Sequence, residues 1–313
     1  MQGHRADRAL LAVGVVAIST AGPIIREVGS PPLATAAWRN LLAVPLLAVV
    51  VLVAHRRAMA AADARTRRVV AVAGLFLAAH FATWVPSIDM TTVASSVALV
   101  CTQPVWVVLF ERLRGQAVSR RTATGVAVAL VGVVLLTGVD VTVSTRALWG
   151  DLLALAGGAF AAGYVLAGAE ARKVLPNPVY TLGCYGLAGV LLGALALADG
   201  QAMAGYDART WWLLVALVVG PQLLGHSVFN RVLPSVGATV VSVAILLEVL
   251  GAALIAWWWF DEVPPRAAVP AGALLLAGLY LTVTGDRSGP APSGPPMSPG
   301  WPPAPVAGPG GSA

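Results

Sequence analysis

Between residues 9 and 284 the chain passes through ten apolar stretches, each joined to the next by a short polar or proline-bearing link. No other feature restricts the fold as much. A helix needs about 20 apolar residues to cross the hydrocarbon layer of a bilayer, and inside that layer every backbone N–H and C=O must find a partner within the protein. The expected spans are 9–25, 33–54, 69–86, 91–110, 122–139, 149–170, 179–198, 211–229, 236–260 and 267–284. Turn signals separate several of them: "GSPP" at 29–32, "VPSID" at 85–89, "LPNP" at 175–178 and "DEVPP" at 261–265. Only 11% of residues are charged and 58% are hydrophobic, whereas a soluble domain carries about 25% charged residues. A water-soluble globule is therefore excluded, and the expected class is an all-α integral membrane protein.

The opening "MQGHRADRALLAVGVVAISTAGPIIRE" resembles a secretory signal, but similar stretches recur along the whole chain, so a retained first helix is the more economical reading. The expected divisions are a cytoplasmic N-terminus (1–8), a first five-helix repeat (9–139), a second (149–284) and a cytoplasmic tail (285–313). That tail is dominated by Pro, Gly, Ala and Ser and cannot build a packed core, so it is expected to be disordered. Cys101 and Cys184 both lie in apolar runs and read as small hydrophobes.

Arginine and lysine set the expected orientation, because they are retained on the cytoplasmic side. With the N-terminus inside, the inner links hold fifteen of the twenty, including Arg56, Arg57, Arg65, Arg67, Arg68, Arg120 and Arg121. The outer links hold Arg26, Arg146, Arg209 and Arg266, and Arg39 lies within a span. One missed helix would invert everything after it, so the asymmetry supports ten spans with both termini cytoplasmic. It also accounts for the isoelectric point near 10.0 without invoking nucleic acid.

Displacing the chain by 146 residues aligns its halves without a gap: Pro32 falls on Pro178, Thr35 on Thr181, His80 on His226, Ser96 on Ser242, Ala98 on Ala244 and Gly132 on Gly278. Five spans per half is an odd number, so the second half must enter the membrane from the opposite side. Inverted repeats are typical of secondary transporters, whose substrate site lies near the midplane between the halves.

The segments "SPPLATAAWRNLLAVPLL", "GLFLAAHFATWVPSIDMTTVASSVALVCTQPVWVVLFERL" and "LLGHSVFNRVLPSVGATVVSVAILLEVLGAALIAWWWFDE" occur in this order. In them the chain resembles the EamA-type transporters of the drug/metabolite transporter superfamily, over about residues 9–284. The resemblance implies two inverted five-helix repeats and a central cavity lined mainly by spans 1, 3, 4, 6, 8 and 9. It also implies export of metabolites or drugs, driven in some members by a proton gradient. The chain departs from the family pattern at Gln116, where a glutamate is common (Glu111 lies upstream), and at Val249, where a proline usually follows the glutamate of span 9; the acidic residue after that span is kept as Glu262.

Polar residues inside the spans are the candidate site. Glu248, in "VAILLEVLGAAL", is foremost, since a charged group in the bilayer centre is rare and costly. It can load and release a proton as access alternates, or stay neutral or paired to lock the bundle. Arg39 either attracts an anion or holds Glu248 ionised, or snorkels to the headgroups. His80 and His226 either relay protons and touch cargo or make interhelical hydrogen bonds. Trp84 shares a helix face with His80, as Asn230 does with His226. Gln103, Tyr164, Ser19 and Thr20 are further candidate liners. Pro104 and Pro221 are expected kinks, and Gly189 and Gly193 form a small-residue face for packing within the bundle.

No cofactor or metal is expected, because no carboxylate or cysteine joins the histidines at ligand spacing. No G-x-x-x-x-G-K-[ST] loop is present for ATP, and the single lysine, Lys173, lies at a helix end where it cannot carry retinal. The expected function is a secondary active transporter in the cell membrane, a proton-coupled exporter of a small metabolite or xenobiotic, monomeric or homodimeric in the lipid bilayer. An intramembrane enzyme using buried His/Glu acid–base chemistry is the alternative.

Overall fold

A computed structural model describes residues 2–91, 93–137, 144–260 and 267–286, and every regular element among them is helical. Helices α1 (Gln2–Ile18) and α2 (Ala21–Glu27) flank a break at Ser19 and Thr20. Those hydroxyls donate back to the carbonyls of Val15 (2.8 Å) and Ala17 (2.7 Å). Pro31 and Pro32 start α3 (Pro32–Leu41), where a missing N–H costs nothing. It continues through α4 (Ala43–Val50), a π-helical turn (Val51–His55) and α5 (Arg56–Ala61). Next come α6 (Ala64–Met90), the pair α7 (Val93–Val100) and α8 (Gln103–Leu113), and α9 (Arg120–Thr137). The Asp63 side chain caps α6 by accepting from Thr66 N at 2.8 Å, and hydrogen bonding by Thr66 holds its carboxyl below the usual carboxylate range.

The later part consists of α10 (Thr145–Ala171), α11 (Asn177–Ala198), α12 (Ala208–Leu217), a π-helical segment (Val218–His226) and α13 (Ser227–Val236). It ends with α14 (Ala238–Ile245), α15 (Leu247–Phe260) and α16 (Ala268–Asp286). Among the described residues seven helical stretches are long and apolar enough to cross a membrane: Leu10–Glu27, Pro32–Ala61, Ala64–Met90, Thr145–Ala171, Asn177–Ala198, Ala208–Val236 and Ala238–Trp259. The chain is a multi-pass membrane protein. The remaining expected spans are helical as α7–α8, α9 and α16, but are not among those seven.

One expectation is corrected. "VPSID" is not a turn: α6 runs through Pro86 to Met90. Pro86 sits in its last turns without ending the helix, and Ser87 Oγ next to it donates to Trp84 O at 2.6 Å. With Val249 where the family pattern has a proline, the span is still interrupted, between α14 and α15 at Leu246, two residues before Glu248. The matching interruption in the first half falls at Cys101 and Thr102, within two residues of the 146-residue displacement. The "DEVPP" turn, Glu262, Arg266 and the 287–313 part of the tail lie outside the described residues.

Small residues bring the helices together. A Cβ on Gly157 would lie 3.1 Å from Trp84 Cβ, and one on Gly163 2.6 Å from the Phe76 ring, so α10 packs closely on α6 only because both positions are glycine. Gly189 lies against Leu41, which uses the small face of α11 inside the bundle. At the α9–α16 crossing, a Cβ on Gly132 would lie 2.9 Å from the Ala271 carbonyl and one on Gly278 2.6 Å from the Gly125 carbonyl. These contacts exchange with one another under the 146-residue displacement. A core there, including Val97, Ala129, Val243 and Leu275, contains two further matched pairs, Val97 with Val243 and Ala129 with Leu275. The outward surface carries exposed Val53 (81%), Trp258 (83%) and Val269 (83%), as lipid contact requires.

Candidate functional cavity

A cavity with about 690 Å³ of atom-free space, counting its open mouth, lies among α6, α7, α8, α10, α13, α14, α15 and the end of the second π segment. His80, Trp84, Gln103, Tyr164, His226, Asn230 and Glu248 all line it, with Leu77, Cys101 and Phe229 among the apolar neighbours. Seven of the eight residues expected from sequence are thus brought together. Among the described residues of span 1, Ser19 and Thr20 do not line this cavity, and their hydroxyls bond at the α1–α2 break.

Each side chain owes its position to a local feature. Glu248 lies in the first turn of α15, just after the break at Leu246, where the positive end of the helix dipole favours an acidic side chain. His80 Nδ1 donates to the Gly157 carbonyl at 3.0 Å, which leaves Nε2 as the acceptor of the neutral ring. The glycine that admits α10 is therefore also the histidine's anchor. The His80 ring stacks on Trp84 (centroids 5.6 Å apart, planes at 15°), and Trp84 Nε1 is buried with no partner. Asn230 Nδ2 donates to Tyr164 OH at 2.5 Å, and Gln103 Nε2 donates to Ser242 Oγ at 3.0 Å. His226 meets the edge of Phe81 at 6.3 Å.

Arg39 stands behind this wall and does not line the cavity. Snorkelling is overturned, because the residue is 0% exposed. Its guanidinium lies 4.2 Å from the centre of the Phe81 ring, and Nε and Nη2 both donate to Gln222 Oε1, at 3.1 and 2.9 Å. Nη1 is buried without a hydrogen-bond partner. Gln222 Nε2 in turn donates to Asn40 Oδ1 at 3.0 Å, and Tyr185 OH donates to the Gln222 carbonyl at 3.4 Å. Sequence reasoning missed this cluster. Its signals were Asn40 directly after the intramembrane arginine, Gln222 after Pro221, and Tyr185 at the position displaced by 146 from Arg39. Glu111, at the other end of α8, accepts from Thr239 Oγ1 at 3.0 Å and ties α8 to α14.

Among the described residues no group of three or more His, Cys, Asp or Glu side chains is arranged to hold a metal ion.

The sequence profile of the EamA-like transporter family matches residues 9–138 and 148–284. An uncharacterized transporter of Archaeoglobus fulgidus is 27% identical over 199 residues, covering 63% of this chain and 68% of that protein. A second uncharacterized transporter of the same organism is 25% identical over 203 residues, covering 64% and 70%. A solved structure titled only "Crystal structure of protein" shares the fold, with a TM-score of 0.75 at 18% identity over 90% of this chain and 98% of that one.

Proposed function

Since the chain belongs to the EamA-like transporter family, a family of membrane transporters, we propose that it is a secondary active transporter that exports a small metabolite or xenobiotic in exchange for protons. One observation carries the reading: a single cavity is lined by the third and fourth expected spans of the first half and by the first, third and fourth of the second, and it holds a carboxyl group. Two five-helix halves of opposite insertion rock around that cavity and open it to each side in turn. The paired family matches, the matched helix breaks and the exchanging glycine contacts at α9–α16 support the duplication. Membership in the family also favours a transporter over an enzyme.

Glu248 is the coupling residue in this reading. It takes a proton when the cavity faces the outside and yields it inside, while cargo occupies the space bounded by Trp84, Tyr164 and Asn230. His80, anchored on Gly157, and His226 extend the hydrogen-bonding wall. Arg39 acts from behind Phe81 as a fixed positive charge that holds Glu248 ready to ionise, and Gln222 keeps it there. Both termini face the cytoplasm of the cell whose membrane holds the protein.

The test compares metabolites retained and released by cells with and without the protein, then loads each hit into proteoliposomes. A pH gradient is expected to drive flux, and Glu248→Gln to abolish its dependence on the gradient. Gradient-driven flux in that variant equal to the parent's would remove the coupling role.

A further inference from the structure

The 146-residue displacement shows which parts of the cavity the two halves share. Packing positions match: Ser96 with Ser242, Ala98 with Ala244, Gly132 with Gly278. Several positions that bring chemistry to the cavity do not. Trp84 corresponds to Asn230, Thr102 to Glu248 and Ile18 to Tyr164. The cavity is therefore chemically lopsided. One half presents the stacked His80–Trp84 pair beside Leu77 and Cys101, and the other presents Tyr164, Asn230 and Glu248.

Glu248 supplies the acidic group of this lining. Asn230 commits one amide N–H to Tyr164 OH and Gln103 one to Ser242 Oγ, so each amide keeps a second N–H and its oxygen. The His80 ring, donating from Nδ1 to Gly157, keeps Nε2 as an acceptor. Among the described residues no Lys or Arg lines the cavity; the Arg39 guanidinium lies behind the Phe81 ring. A positive charge on the ligand is favoured by the Glu248 carboxylate and by the aromatic faces. An anion would meet Glu248 and the acceptor oxygens with no cation to receive it.

Resting on the reading of this cavity as the cargo chamber, we propose that its ligand is an amphipathic amine: a protonated primary or secondary amine on a planar aromatic body, the ring against His80–Trp84 and the nitrogen toward Glu248, Gln103 and Asn230.

The test is equilibrium binding by calorimetry to the full chain in lipid nanodiscs, with three probes matched in size: phenethylamine, phenylacetate and 2-cyclohexylethylamine. Phenethylamine is expected to bind about tenfold or more tighter than phenylacetate, the scale of a hydrogen bond to a charged group. It is expected to bind about threefold tighter than the saturated ring, the scale of an aromatic contact. Glu248→Gln should erase the amine–carboxylate difference, and Trp84→Leu only the aromatic–alicyclic one. The proposal is overturned if phenylacetate binds as tightly as phenethylamine to the parent protein, or if phenethylamine fails to bind at millimolar concentration. Neither comparison needs a folded variant. Because binding requires no gradient, it can stand when gradient-driven flux fails, and flux can stand when amine selectivity fails.

Discussion

Arg39 is the residue whose setting carries the most energetic consequence. A guanidinium sealed from water must have its donors met, and here Gln222 alone meets two of them. Hydrogen bonds to a charged group contribute about 1.5–3 kcal/mol each. Gln222→Leu is therefore expected to lower stability by about 3 kcal/mol, while Arg39→Met with Gln222→Leu together lose less, because no buried charge is left unpaired. Reversible unfolding of the purified variants measures both, and a neutral Gln222→Leu would mean that the arginine finds water or headgroups instead. Sequence alone left two readings of Arg39 open because hydropathy gives the depth of a residue in the bilayer, not which face of the helix it occupies. Glu248, His80 and Asn230 were legible for the opposite reason: polar groups in an apolar run are rare enough to be noticed singly. Gln222 and Asn40 were not, since an uncharged amide in a span is common and only its partner reveals its use.

At the scale of helices, glycine decides which pairs can touch. A Cβ at Gly278 would fall 2.6 Å from both Ala129 Cβ and the Gly125 carbonyl, so backbone as well as side chain must move. Gly278→Ala is expected to cost about 1–3 kcal/mol through overpacking. Gly186→Ala in α11, where nothing lies within 4 Å, should stay within about 1 kcal/mol of the parent. Equal thermal shifts for the two would contradict the close crossing of α9 and α16. Span positions were readable from apolar length, but their ends were not. Asp63 and Asp207 cap helices that begin several residues before the apolar runs, because a capping side chain and a few polar residues continue a helix beyond the hydrocarbon. The break at Leu246 was equally hidden, since it is made without the proline that normally announces one.

For the molecule as a whole, the 146-residue correspondence was legible in the sequence, and the family match falls on two segments, 9–138 and 148–284. What it could not convey is how unevenly the halves have diverged: the crossing of α9 and α16 kept its symmetry, while the cavity wall lost it at Trp84, Tyr164 and Glu248. The proposed rocking of two halves around one asymmetric ligand would favour shared packing with a divergent lining. The central claim is that the halves insert in opposite directions, and one measurement addresses it directly. In a background of Cys101→Ala and Cys184→Ala, single cysteines are introduced as Ala61→Cys, between the second and third expected spans, and as Ala204→Cys, between the seventh and eighth; both positions are exposed. Intact cells are then treated with a membrane-impermeant maleimide. The account expects Ala204→Cys to be labelled from outside and Ala61→Cys only after the membrane is breached; labelling of both from the same side would contradict it.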